Sequence, residues 1–182
     1  MEKLAAKNFE LAQRVIAAAI ARNAKIAVAE SLTGGLLAAT LVQVPGASAV
    51  FVGAVVAYDT AVKQRVLEVD ARRLAATGPV DQLVAAQMVC GLGAALGVKV
   101  THGVATTGVA GPDPDPQTGK PVGLFYVAAG ALNAADAVTA SDAIAVTEHQ
   151  VRGDREAVRL SAVGAALELL LQQLQHDCEI TV

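Results

Sequence analysis

Residues 26–41 constrain the fold of this chain more than any other stretch. Ile26-Ala27-Val28-Ala29 is a short continuous apolar run, Glu30-Ser31-Leu32-Thr33-Gly34-Gly35 is a polar, glycine-rich break, and Leu36-Leu37-Ala38-Ala39-Thr40-Leu41 reads as a helix. The order strand, tight turn, helix brings the strand's carboxyl end against the helix's first unpaired N–H groups, where small ligands and developing negative charge are favoured. Ser31 or Thr33 can cap that helix by accepting a backbone N–H, and Gly34 and Gly35 let a ligand approach the backbone with no Cβ in the way. Capping accounts for one hydroxyl and leaves the rest of the cluster unexplained.

The other segments follow the same logic. Leu11, Val15, Ile16 and Ile20 recur at helical spacing within an Ala-rich segment from about Leu4 to Arg22. Pro45-Gly46 stops the second helix, and Phe51 to Tyr58 is nearly continuous in apolar residues, as buried strands are. Asp59 or Thr60 can cap a short helix carrying Lys63, which predicts that Tyr58 and Lys63 project near one another. A helix is expected from Gln82 to Leu96 and a third strand from Val100 to Thr107. A second glycine-rich turn, Thr107-Gly108-Val109-Ala110-Gly111-Pro112, then leads into a polar loop reaching Pro121. Val122 to Gly130 and Ala143 to Val151 make two strands whose link has no room for a crossover helix, so that pair is expected to be antiparallel. Gly153-Asp154 caps a terminal helix to about Gln175. The expected fold is α/β: a three-layer α/β/α sandwich with a mixed, mostly parallel sheet, in a single domain over residues 1–182.

Composition agrees with that class. The chain is 54% hydrophobic but only 3% aromatic and lacks Trp, so Ala, Val and Leu must fill the core. A net charge of −3 without a basic run argues against a nucleic-acid surface or an anionic membrane surface. The charged amino terminus is unlike a signal peptide, no segment reads as a bilayer span, and a cytoplasmic location is the simplest expectation. Cys90 and Cys178 form no metal spacing or disulfide framework, and His102, His149 and His176 are too scattered for a Ser-His-Asp triad. Asp113 and Asp115, set between prolines, read as a solvated loop, and no metal or other cofactor is expected. Self-association into a homo-oligomer is expected of a small Ala/Val-rich chain.

Five motifs, in order, carry a resemblance over almost the whole chain. They are Ala29-Glu30-Ser31-Leu32-Thr33-Gly34-Gly35, Tyr58 with Lys63, Thr107-Gly108-Val109-Ala110-Gly111-Pro112, Lys120-Pro121-Val122-Gly123, and Arg152-Gly153-Asp154-Arg155. Together they resemble the CinA carboxy-terminal domain family, the nicotinamide-nucleotide amidases, in a stand-alone form. The resemblance implies hydrolysis of the carboxamide of nicotinamide mononucleotide to nicotinate mononucleotide and ammonia. Leu32 stands where the family often has cysteine, which implies that this position is not the nucleophile. Asp59-Thr60 replaces a common Ser-Asn pair, and Asp81 replaces a frequent serine.

Metal-free amide hydrolysis needs a nucleophile, a base that later protonates the departing ammonia, and N–H donors for the oxyanion. On this reading Ser31 is the nucleophile, Lys63 the base, and Tyr58 orients the lysine or relays the proton; a Ser–Lys pair is a known variant of the triad logic. Thr33, Gly34 and Gly35 supply oxyanion donors. Thr107, Gly108, Ala110 and Gly111 hold the ribose phosphate as successive turn amides hold anions, with Arg152 and Arg155 as further phosphate candidates. Structural roles compete at each position: caps at Ser31, a solvated charge at Lys63, chain reversal at Thr107, helix-start charges at Arg152 and Arg155, a backbone acceptor at Glu30. A nucleotide- or phosphate-binding module without catalysis, or an interaction partner in a competence- or damage-linked assembly, is the alternative reading.

Overall fold

The computed structural model describes residues 1–132 and 144–176. The expected readings at Cys178 and at Ala143 lie outside the described residues. Helix α1 (Glu2–Ala21) leads into β1 (Ile26–Glu30), and α2 (Leu36–Val42) connects to β2 (Phe51–Val56). Helices α3 (Thr60–Leu67), α4 (Ala71–Thr77), α5 (Gln82–Cys90) and α6 (Leu92–Leu96) precede β3 (His102–Gly108). Strands β4 (Leu124–Ala131) and β5 (Ala145–Gln150) come before α7 (Arg155–His176).

The sheet order is β2-β1-β3-β4-β5. Strand β1 pairs in parallel with β2 and β3, while β4 runs antiparallel to both β3 and β5, so all strands but β4 share one direction. The mixed, mostly parallel sheet and the antiparallel final pair are as expected. Strand alternation divides the core into two layers. Ile26, Val28, Val104, Phe125 and Val127 face α1, α2 and α7, whereas Ala27, Ala29, Ala105 and Ala128 face the α5 layer. Small residues on the second face allow helix α5 to lie close to the sheet: a Cβ at Gly103 would meet Val89 and Leu92 side chains at 2.8 and 3.0 Å.

Two details of the α5 layer depart from the sequence expectation. The single helix expected from Gln82 to Leu96 is two, joined at Gly91, where a Cβ would fall 2.1 Å from the Leu67 carbonyl oxygen. Helix α4 was not expected; Asp70 starts it by accepting the Arg72 N–H at 2.7 Å. Asp81 also has structural work. Its carboxylate caps α5 through the N–H groups of Leu83 and Val84 and pairs with Arg73 at 2.6 and 2.8 Å, fixing the Pro79-Val80 turn between α4 and α5. Partial burial opposes ionisation of Asp81, but the Arg73 hydrogen bond and charge and the two N–H donors hold its carboxyl below the ordinary value.

Helix α7 is, among the described residues, the one helix long and apolar enough to cross a membrane by length and composition. In this fold Val158, Val163, Leu167, Leu170 and Leu174 are buried against α1 and the sheet.

Candidate active site

The carboxyl ends of β1, β2 and β3 meet at one edge of the sheet. The connection from β1 leaves over one face and the connection from β2 leaves over the other, so β1 ends at the switch point where open α/β sheets place ligands. A cleft of about 150 Å³ opens there, lined by Ser31, Leu32, Tyr58, Lys63, Pro79, Val80, Thr107, Gly108, Ala110, Asp115 and Arg155.

Helix α2 is not capped by either hydroxyl. The buried Glu30 carboxylate accepts the N–H groups of Gly35 (2.9 Å), Leu37 (3.1 Å) and Ala38 (2.8 Å). A carboxylate at the positive end of a helix satisfies several orphan donors at once, and this one leaves Ser31 without a capping role. Thr33 is buried and shares a 2.8 Å hydrogen bond with the Thr106 hydroxyl, which ties the turn to β3. Of the two hydroxyls in the turn, only Ser31 reaches the cleft.

Lys63 lies on the first turns of α3, whose N-cap is Asp59, accepting Ala61 N–H at 2.7 Å. Its side chain is 1% exposed. The Nζ atom sits 2.9 Å from Ser31 Oγ, 2.6 Å from the Ala57 carbonyl oxygen and 3.2 Å from that of Tyr58. Burial disfavours the ammonium and lowers the Lys63 pKa from 10.5 to about 8, with the nearby Asp59 charge opposing the shift. When the amine is neutral, the two carbonyls can hold its two N–H bonds and leave the lone pair facing Ser31. The fold thus offers a buried amine, close to half neutral near pH 8, in hydrogen-bond contact with a hydroxyl.

Of the three N–H donors expected in the turn after Ser31, those of Gly34 and Gly35 are already engaged and, among the described residues, that of Thr33 is not. Gly34 N–H is occupied by the Ser31 carbonyl and Gly35 N–H by Glu30. The N–H groups of Leu32 and Thr33 have no hydrogen-bond partner among the described residues, although Leu32 is 3% exposed and Thr33 fully buried. Buried, unpaired N–H groups are rare and call for a ligand. At the second turn the Thr107 hydroxyl donates to the Pro79 carbonyl at 2.6 Å, so it holds a wall of the cleft and has no proton left to offer. Ala110 and Gly111 N–H remain unpaired among the described residues. Gly108 lines the cleft and has no room for a side chain, since a Cβ would lie 2.3 Å from that of Phe125.

Tyr58 and Arg155 form the rim. The Tyr58 side chain is exposed, and its hydroxyl accepts from Arg155 Nη2 at 2.8 Å; Arg155 Nη1 donates to the Gly111 carbonyl. Tyr58 therefore holds Lys63 through its carbonyl, and its phenol belongs to the mouth. Arg152 is exposed, outside the cleft and without a hydrogen bond among the described residues.

Asp115, expected in a solvated loop, is half-buried and lines the cleft. Its Oδ1 accepts Gln117 N–H, Thr118 N–H and the Thr118 hydroxyl, while Oδ2 has no donor among the described residues. Partial burial works against the carboxylate, but the Thr118 and Gln117 hydrogen bonds and the Lys120 charge hold its pKa below the ordinary value. Lys120 ties this loop to the opposite wall by donating to the carbonyls of Thr77 and Val80. Among the described residues no group of three or more His, Cys, Asp and Glu side chains is placed to hold a metal ion.

The sequence pattern of the CinA C-terminal domain family matches residues 8–174. The chain belongs to that family. A CinA-like protein of Frankia casuarinae is 43% identical over 88% of the chain, which covers 34% of that relative. The chain spans about a third of the length of the curated relatives it matches. Among solved structures, the competence/damage inducible protein CihA of Agrobacterium tumefaciens superposes with a TM-score of 0.81 at 32% identity, covering 93% of this chain and 96% of that one. A CinA superfamily protein of Klebsiella pneumoniae gives 0.82 at 31% identity over 93% and 98%. The chain thereby has the α/β fold of the CinA family.

Proposed function

We propose that this chain hydrolyses the carboxamide of nicotinamide mononucleotide to nicotinate mononucleotide and ammonia, without a metal, in a cytoplasmic setting and as a homo-oligomer. The observation that carries the reading is the 2.9 Å contact between buried Lys63 Nζ and Ser31 Oγ, with the lysine pKa lowered to about 8. Neutral Lys63 takes the Ser31 proton as Oγ attacks the carboxamide carbon. The oxyanion forms against the unpaired N–H groups of Leu32 and Thr33, and the Lys63 ammonium then protonates the amine, which leaves as ammonia. Lys63, neutral again, takes a proton from water as the water attacks the acyl-enzyme; collapse releases the carboxylate and the proton returns to Ser31.

The remaining groups suit a mononucleotide with a cationic ring. Unpaired Ala110 and Gly111 N–H groups and Arg155 favour the phosphate, whereas Asp115 favours positive charge. Ammonia release from nicotinamide mononucleotide by the purified protein, unaffected by EDTA, is the expected result. Asp115→Asn should raise KM for this cationic substrate by about 10-fold with a smaller change in kcat, as removal of one charged contact does. Binding of the mononucleotide without ammonia release would instead identify a binding module.

A further inference from the structure

Arg159, on the second turn of α7, reaches across to the turn that carries Ser31. Its Nε donates to the Leu32 carbonyl at 3.2 Å and its Nη2 to the Thr33 carbonyl at 2.7 Å. The Leu32 carbonyl has no other donor among the described residues, while that of Thr33 also accepts Leu36 N–H at 3.2 Å. A trans peptide is planar, with its C=O and N–H pointing in opposite directions. Whatever fixes the Leu32 carbonyl therefore fixes the direction of the Thr33 N–H, one of the two buried donors left unpaired beside Ser31. Neighbouring peptides are already committed: Ser31 C=O accepts Gly34 N–H, and Gly35 N–H is held by Glu30. Among the described residues the Leu32–Thr33 peptide has no backbone partner at either its C=O or its N–H, so in this turn it is the peptide whose orientation rests on Arg159 alone.

We infer that Arg159 is a positioning residue for amide hydrolysis. It holds the Leu32–Thr33 peptide so that the Thr33 N–H faces the oxyanion developing on the Ser31 adduct. Without the guanidinium the Leu32 carbonyl is left buried and unpaired, and rotation of the peptide would bring that oxygen toward the cleft, where it repels the oxyanion. The planar fork supplies two donors at fixed spacing, which a lysine ammonium cannot reproduce. The inference rests on the amidase reading for its substrate, but not for its chemistry.

The test combines turnover with covalent labelling of Ser31 by a fluorophosphonate, whose reaction needs the nucleophile and the oxyanion donors and ignores the natural substrate. Arg159→Met should lower kcat for nicotinamide mononucleotide by about 100-fold, the cost of losing one oxyanion donor, with KM within about twofold. Labelling should slow by a similar factor. Arg159→Lys should recover part of both, and methylguanidinium should partly restore Arg159→Ala. Each rate is measured below the variant's own melting temperature, so lost stability cannot imitate the effect. Normal kcat and labelling in folded Arg159→Met would overturn the inference and leave the amidase reading intact. Labelling of wild type that slows in Arg159→Met, in a protein inert toward the mononucleotide, would support the inference and remove the substrate. Wild type that neither labels nor turns over sinks both.

Discussion

Ser31→Ala should abolish ammonia release from nicotinamide mononucleotide, lowering kcat by about 10⁴-fold or more, while the protein still folds and binds the mononucleotide with nearly unchanged affinity. The expectation is this sharp because the hydroxyl has little else to do. Glu30 occupies the helix donors that a capping serine would take, and among the described residues the single hydrogen-bond contact of Ser31 Oγ is with Lys63. Stability should therefore change by less than about 1 kcal/mol, the scale of one ordinary hydrogen bond. Acid quenching of wild type during turnover, followed by mass spectrometry, should trap the acyl-enzyme on the peptide containing Ser31. The alanine variant should show no adduct. Retention of most activity in Ser31→Ala would move the nucleophile to water and make Lys63 a base acting on it directly.

The residues explain which parts of this picture were legible in the sequence. Strands β1 and β2 announce themselves as apolar runs too short for helices, and the turn after β1 is marked by its glycines and hydroxyls. Proximity of Tyr58 and Lys63 followed from a cap at Asp59, because a lysine on the first turns of a helix must point back toward the strand that precedes it. What stayed hidden depends on partners distant in the chain. A carboxylate beside a serine reads equally well as an acid or as a backbone acceptor; only the path of α2 shows that Glu30 caps it. Thr107 looked like a phosphate donor because its engagement with Pro79, 28 residues earlier, leaves no local trace. Asp115 resembles any aspartate between prolines until Lys120 draws its loop over the cleft. Arg159 contacts a turn 126 residues away, and its position on a helix gives no hint of that.

Removing the amine of Lys63 should be nearly as damaging as removing Ser31, and it has a signature in pH that the serine lacks. Lys63→Met should lower kcat/KM by about 10³-fold or more, the loss expected of a general base that also protonates the leaving group. Lys63→Arg keeps positive charge but never becomes neutral, so it should be inactive as well. In wild type, kcat/KM should rise with pH and level off above an apparent pKa near 8, because the base works only when deprotonated. The same shift links pH to stability. The lysine titrates near 10.5 when unfolded and near 8 when folded, so between these values the unfolded chain binds more protons and raising pH favours the native state. Below pH 8 the buried ammonium costs the fold about 3 kcal/mol relative to pH above 10.5. Denaturant titrations of wild type and Lys63→Met at pH 7 and pH 10 should show wild type gaining most of that amount on the variant. A constant difference across the range would mean that Lys63 keeps an ordinary pKa in its buried position. It would then be almost wholly charged at neutral pH, and the proton from Ser31 would have to leave by another route.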